Sequence, residues 1–234
     1  YDYLRERGNS TIFIHHDNAY LKEIAGGLNQ IPYGSKDGLY ISGHVTGNSP
    51  YLAFEWKADK EGECHEVQTQ LIGEYNFPNA LAAITIGRFF GVEPEKIDAA
   101  LAAYTPQNNR SQLKQTADNT LIIDAYNANP TSMQASLANF HNMKVENKML
   151  ILGDMRELGK DGPEHQKIAD FLTECGFEDV MLVGEQFAAA RHSFPTYPDA
   201  AAVIEVLKQS KPHGKTILIK GSNGIRLNTV IDYL

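Results

Sequence analysis

The apolar positions of the chain follow two patterns that meet near residue 105. Before that point, short segments alternate apolar and polar residues. After about residue 120, fully apolar runs are separated by stretches with helical spacing. In the first part, residues 1–7 read as a helix ended by Gly8-Asn9, and a strand is expected over Thr11–His15. The segments "GLYISGHV" (Gly38–Val45), "YLAFEWKA" (Tyr51–Ala58) and "CHEVQTQLI" (Cys64–Ile72) predict antiparallel hairpins. They are punctuated by Gly47-Asn48-Ser49-Pro50 and Glu61-Gly62. "NFPNALAAITIGRFFG" predicts a helix with Asn76 as N-cap, Pro78 in the first turn and Gly91 ending it. A second helix is expected from Pro94 to about Tyr104. The polar stretch Thr105–Gln112 reads as a linker, which divides the chain into domains 1–106 and 107–234. The chain starts inside a helical pattern with no initiator Met, so it reads as the interior of a larger protein.

The second part alternates strand and helix. "TLIID", "KMLILGD", "DVMLVGE" and "KTILIKGS" are separated by helical segments at about 131–146, 161–176, 186–193 and 199–210. Such alternation predicts βαβ units, a mainly parallel sheet and helices on both faces. Each apolar run ends in polar residues or glycine: Asp124, Gly153-Asp154, Gly184-Glu185 and Gly221-Ser222. In a parallel sheet these ends point the same way, and open α/β sheets bind ligands there. At "DAYNANPTSM" (Asp124–Met133), Asn129 and Pro130 suit the N-cap and first position of the next helix. A turn can absorb one further polar side chain, which leaves Asp124, Tyr126 and Asn127 with more hydrogen-bonding capacity than the backbone needs.

Composition narrows the function classes. The 234 residues carry a net charge of −8, which argues against a nucleic-acid partner, because phosphate contacts need clustered Lys and Arg. Cys64 and Cys175 are far apart and read as reduced thiols. No apolar run reaches membrane-spanning length and no signal peptide opens the chain, so a cytoplasmic location is the default expectation and no membrane partner is expected. Neither the phosphate loop G-x-x-x-x-G-K-[ST] nor the dinucleotide fingerprint G-x-G-x-x-G occurs. No group of His, Cys and carboxylate has structural-metal spacing, and His165 and the pair His15-His16 read as ordinary helix and strand residues.

Four motifs in register carry a family resemblance: "GEYNFPNALAA" (Gly73–Ala83), "DAYNANPTSM", "LGDMRELG" (Leu152–Gly159) and "IKGSNGIRLN" (Ile219–Asn228). Together the chain resembles the Mur ligases of peptidoglycan precursor synthesis. Asp-x-Tyr-Asn-Ala-Asn is similar to the version in the branch that adds D-Ala-D-Ala to UDP-MurNAc-tripeptide. The resemblance implies an α/β chain made of a partial central ATPase domain, with a mixed sheet plus helices, followed by a Rossmann-like ligase domain. It also implies ATP and Mg2+, with an acyl phosphate formed on the tripeptide and attacked by the dipeptide amine in a cleft between the domains. The phosphate loop and most Mg2+ ligands of the family lie upstream of the segment matched here. By this resemblance no catalytic residue is assigned within the chain, and residues 1–234 alone are expected to be inactive. The complete ligase is expected to be monomeric, whereas a partial central sheet with open edges would invite self-association.

The same resemblance assigns roles by position. Asn76 and Asn79 would meet adenine, where a carboxamide can donate and accept at once. Tyr75 stands where the family usually has His. Arg110 would meet ATP phosphate or ribose, Asp124 would accept from the ribose hydroxyls, and Tyr126 and Asn127 would lie beside the nucleotide. Asn129, Asp154, Lys220, Ser222 and Asn223 are the candidates for D-Ala-D-Ala, with "KGSNG" and a helix starting near Ile225 as an anion site for its carboxylate. Arg156 would help orient that pocket. Two alternatives remain open: a folylpolyglutamate synthase-like ligase, and a non-catalytic Rossmann-like binding module.

Overall fold

The computed structural model describes residues 1–59, 62–107, 110–156 and 163–234. Glu61 of the expected turn, linker residues 108–109, residues 157–159 of "LGDMRELG" and the first positions of the helical segment at 161 lie outside them. The chain divides into two compact units, Tyr1–Thr105 and Pro106–Leu234. Among the described residues no helix is long and apolar enough to cross a membrane.

The first unit runs α1 (Asp2–Arg7), β1 (Thr11–His15), α2 (Ala19–Ile24), β2 (Asn29–Gly34), β3 (Ile41–Asn48), β4 (Tyr51–Ala58), β5 (His65–Ile72), α3 (Phe77–Phe89) and α4 (Pro94–Ala103). Its five-stranded sheet has the order β1-β2-β3-β4-β5. The β3–β4 and β4–β5 pairs are antiparallel, as the alternation along these segments predicts. β1, β2 and β3 pair in parallel, which makes the sheet mixed. β4 alternates strictly: Leu52, Phe54 and Trp56 are buried while their neighbours are half-buried. Those three side chains join Ile41, Val67, Leu81 and Ile84 in one core, which places α3 against the sheet. α4 docks through a polar contact. Asp98 accepts from Trp56 Nε1 at 2.8 Å and meets His65 Nδ1 at 3.0 Å, and the Trp56 and His65 rings stack with centroids 4.5 Å apart.

The second unit runs β6 (Gln112–Gln115), β7 (Thr120–Asp124), α5 (Pro130–Asn142), β8 (Lys148–Gly153), α6 (Glu164–Glu174), β9 (Val180–Val183), α7 (Glu185–Ala189), β10 (Thr196–Tyr197), α8 (Ala200–Gln209) and β11 (Thr216–Lys220). Its six-stranded sheet has the order β10-β9-β8-β11-β7-β6. All neighbours pair in parallel except β6, which runs antiparallel to β7 at the edge. β11 therefore returns between β7 and β8, and their carboxyl ends lie side by side.

The four central strands are apolar at both parities because both faces are covered. Leu121, Ile123, Met149, Ile151, Ile217 and Ile219 face a core that includes Val203 and Leu207 of α8. The alternate residues Ile122, Leu150, Leu152, Leu182 and Leu218 are equally buried. Two glycines are required where β8 and β11 end. A side chain on Gly221 would come within 2.9 Å of Gly153 Cα, and one on Gly153 within 3.0 Å of Ile225 Cγ2. The expected helix near Ile225 does not form as an α-helix. Two 3-10 turns, Asn223–Ile225 and Leu227–Tyr233, meet instead at Arg226, whose left-handed backbone (φ 60°) interrupts continuous winding.

Phe54 is fully buried in the first core. Truncation in Phe54→Ala is expected to cost about 3–5 kcal/mol, read as a lowered denaturant midpoint for the first unit.

Candidate functional site

The carboxyl edge of the second sheet gathers most of the candidate residues. In the parallel register Lys220 stands beside Asp124 on one side and beside Leu152 on the other. Strand partners in register project to the same face, so the two side chains meet and the ammonium of Lys220 donates to Asp124 Oδ2. Lys220 is 1% exposed, whereas the Asp124 side chain keeps 14%. The sequence reading gives Lys220 a free ammonium for a substrate carboxylate. The structure instead commits it to Asp124, because a buried lysine needs a counter-charge.

Tyr126 lies just after Asp124 and Arg110 just before β6, and both are exposed. The Arg110 guanidinium sits 3.9 Å from the Tyr126 ring centroid, a cation–π contact that holds a long side chain in one place. Ser111 follows with a left-handed backbone (φ 47°) as the chain turns into β6. Asn127 is exposed. Asn129 caps α5: its Oδ1 accepts from Ser132 N at 2.8 Å, and Ser132 Oγ accepts from Asn129 N at 3.2 Å, which completes a capping box. The capping reading of Asn129 is therefore realised, through its oxygen.

Asp154, expected at the substrate, is 4% exposed, and both its oxygens are engaged by backbone. Oδ2 accepts from Gln186 N and Oδ1 from Phe187 N, each at 3.0 Å, which satisfies the free N–H groups opening α7. Gly184 makes room for this. It adopts φ 123°, and a Cβ there would lie 2.2 Å from Asp154 Oδ2. On the other side, His165 Nε2 accepts from Met155 N at 2.9 Å and lies 3.7 Å from Asp154 Oδ1. Burial lowers the His165 pKa below its ordinary 6.5, and Asp154 opposes that shift.

In "KGSNG", Ser222 is also internally engaged. Its hydroxyl accepts from Arg156 N at 2.8 Å, and its own N–H donates to Asp154 O at 3.2 Å. Asn223 is exposed and opens a 3-10 turn, so no α-helix N-terminus backs an anion at this point. Two concavities share Arg156. One of about 350 Å3 is lined by Asp154, Met155, Arg156, Gly184, Glu185 and Gln186, among others. One of about 440 Å3 contains Arg156 and Arg226, and the sequence reading did not single out Arg226.

In the first unit, Asn76 occupies the N-cap position of α3 but makes no side-chain cap. Its Nδ2 donates to Ile72 O at 2.8 Å, and its Oδ1 accepts from Asn79 Nδ2 at 3.4 Å. The backbone at Asn76 is already helical (φ −84°, ψ −12°) within a short 3-10 turn, which points its side chain away from the N–H groups it would cap. Asn79 is exposed. Among the described residues no three His, Cys, Asp or Glu side chains gather to hold a metal ion.

Residues 109–223 match the family model "Mur ligase, glutamate ligase domain". The chain is 31% identical over 173 residues to the UDP-N-acetylmuramoyl-tripeptide–D-alanyl-D-alanine ligase of Bacillus subtilis, covering 69% of this chain and 38% of that protein. It is 27% identical over 236 residues to the ligase of the same name from Synechocystis, covering 96% of this chain and 50% of that one. Among solved structures, MurF from Acinetobacter baumannii superposes with a TM-score of 0.80 at 22% identity, over 96% of this chain and 51% of that chain. The chain thus spans at most about half the length of the relatives it matches.

Two outcomes follow from this geometry. Removing one partner of the ion pair leaves a nearly buried charge, so Lys220→Met is expected to destabilise the second unit by about 3 kcal/mol. The double variant Lys220→Met/Asp124→Asn should recover part of that loss in thermal melts. For His165, the unfolded imidazole binds a proton near 6.5 while the folded one resists it. Stability is therefore full above about pH 6.5 and declines as pH falls below that value. Melting temperatures at about pH 7.5 and pH 5.5 should differ in that direction, and less so in His165→Gln.

Proposed function

Because the chain belongs to the Mur ligase family, we propose that it forms the C-terminal portion of an ATP-dependent ligase that joins D-Ala-D-Ala to UDP-MurNAc-tripeptide in peptidoglycan precursor synthesis. The reading rests on curated relatives of that activity and on one observation above the others. A strand-end carboxylate, Asp124, is fixed by a buried ammonium yet keeps part of its surface open at the ligand-binding edge of a parallel sheet.

In this reaction the tripeptide carboxylate attacks the γ-phosphorus of ATP, giving an acyl phosphate and ADP. The dipeptide amine then adds to the acyl carbon, the new C–N bond forms as phosphate leaves, and the amine loses a proton. Catalysis of this kind depends on neutralising phosphate charge and holding reactants at attack distance. The residues of this chain bind and orient. Asp124 is an acceptor-only group suited to two ribose hydroxyl donors. Lys220 acts through Asp124, holding its carboxylate in place. Arg110 supplies a forked cation for phosphate or ribose, held against Tyr126 at 3.9 Å. Asn127 presents an exposed carboxamide beside them. In the first unit Asn79 carries an exposed carboxamide suited to adenine, with Asn76 anchoring it. Mg2+ would supply charge neutralisation to the phosphates. No step assigned to the described residues passes through it.

The test uses a protein in which this chain continues an upstream phosphate-loop segment, assayed with ATP, UDP-MurNAc-tripeptide and D-Ala-D-Ala. The expected outcome is ADP, phosphate and UDP-MurNAc-pentapeptide, with no turnover by residues 1–234 alone. Asp124→Ala should reduce kcat/KM by about tenfold to hundredfold, mainly through the KM for ATP. Glutamate transfer to a folate in place of dipeptide ligation would overturn the proposal.

A further inference from the structure

We propose that Arg156 and Arg226 form the subsite for the terminal carboxylate of the acceptor dipeptide; this rests on the ligase reading above and replaces Lys220 in that role. The two arginines line the same concavity of about 440 Å3. Among the described residues neither guanidinium is engaged in an ion pair, unlike Lys220, whose ammonium is committed to Asp124. The acid on the lining, Asp199, has Oδ1 occupied as the cap of α8, accepting from Ala202 N at 2.9 Å. The concavity therefore sets two guanidinium groups against one carboxylate and keeps a net positive charge.

The backbone around Arg156 is arranged to hold it. Ser222 Oγ accepts from Arg156 N at 2.8 Å, which fixes the root of the side chain just beyond β8. Gly224 leaves its flank open, since a Cβ there would lie 2.9 Å from Arg156 Nη1. Two residues of "KGSNG" thus serve as positioning residues for an arginine on a neighbouring strand end. Arg226 is the left-handed residue between the two 3-10 turns (φ 60°), and Thr229, whose hydroxyl donates to Arg226 O at 2.8 Å, also lines the concavity.

The rest of the wall is apolar and small. Ala200, Ala201, Ile204 and Ile225 line it. An anion with little apolar surface, such as inorganic phosphate, would leave that wall unused. A carboxylate carrying short methyl side chains uses both parts: two forked donors match the planar carboxylate, and the alanine methyls cover the aliphatic wall.

The experiment compares D-Ala-D-Ala with its C-terminal carboxamide in the complete ligase, wild type and variants Arg156→Ala and Arg226→Ala. In the wild type the carboxamide should show a KM at least about tenfold higher than the acid. Each variant should raise the KM for the acid by about tenfold, erase the discrimination against the carboxamide, and leave the KM for ATP within about twofold. Wild-type indifference to the carboxamide overturns the subsite even if a variant fails to fold, and so do folded variants with an unchanged KM for D-Ala-D-Ala. Those two results leave the ligase reading standing. A wild-type enzyme that does not ligate D-Ala-D-Ala at all overturns that reading and the subsite together.

Discussion

The second unit is organised around one buried charge pair. A lysine at 1% exposure is tolerated only with a counter-ion in contact, and Asp124 is that counter-ion. The pair exists because β11 inserts between β7 and β8, which puts the last residues of two strands distant in sequence into register. Its effect reaches beyond the two strands. Asp124 opens the loop that leads to the capped start of α5, and Lys220 opens the segment that supports Arg156. A slip of one residue in β11 would turn Lys220 to the opposite face and leave Asp124 without its partner.

A second consequence of the topology is a division of labour among polar side chains at one sheet edge. Asp154, Ser222 and Asn129 look like ligand groups from their positions, yet each satisfies backbone N–H groups that loops and helix starts would otherwise leave unpaired. The residues left with capacity toward solvent are Asp124 in part, Arg110 on its tyrosine, Asn127, Arg156 and Arg226. Function at this edge is thus built on a layer of polar groups consumed by structure.

This also explains what could be read in advance. The central strands of the second unit were legible because burial on both faces demands unbroken apolar runs, as in "TLIID" and "TILIK". β2, "NQIPYG", was not. It is mostly exposed or half-buried, contains Pro32, and is held by backbone pairing to β1, which leaves no hydrophobic signature. β10 has only two residues, too few for any period to show. At the site, Asp124 was legible by type and position, as was the polarity of "KGSNG". The Asp124–Lys220 contact was not, since it depends on strand order. An acid and a lysine closing two equally apolar runs were the available signal. Arg226 gave less warning, because its placement comes from a left-handed turn that replaced the expected helix.

The edge strand β6 carries a mechanical implication. The chain enters the second unit at Arg110 and Ser111 and pairs at once with β7, Gln112 lying opposite Ile123, the residue before Asp124. The Arg110–Tyr126 contact lies just beyond that same end of the pair. A carboxylate at the end of a strand paired on both sides takes its position from backbone hydrogen bonds rather than from the loop that follows it.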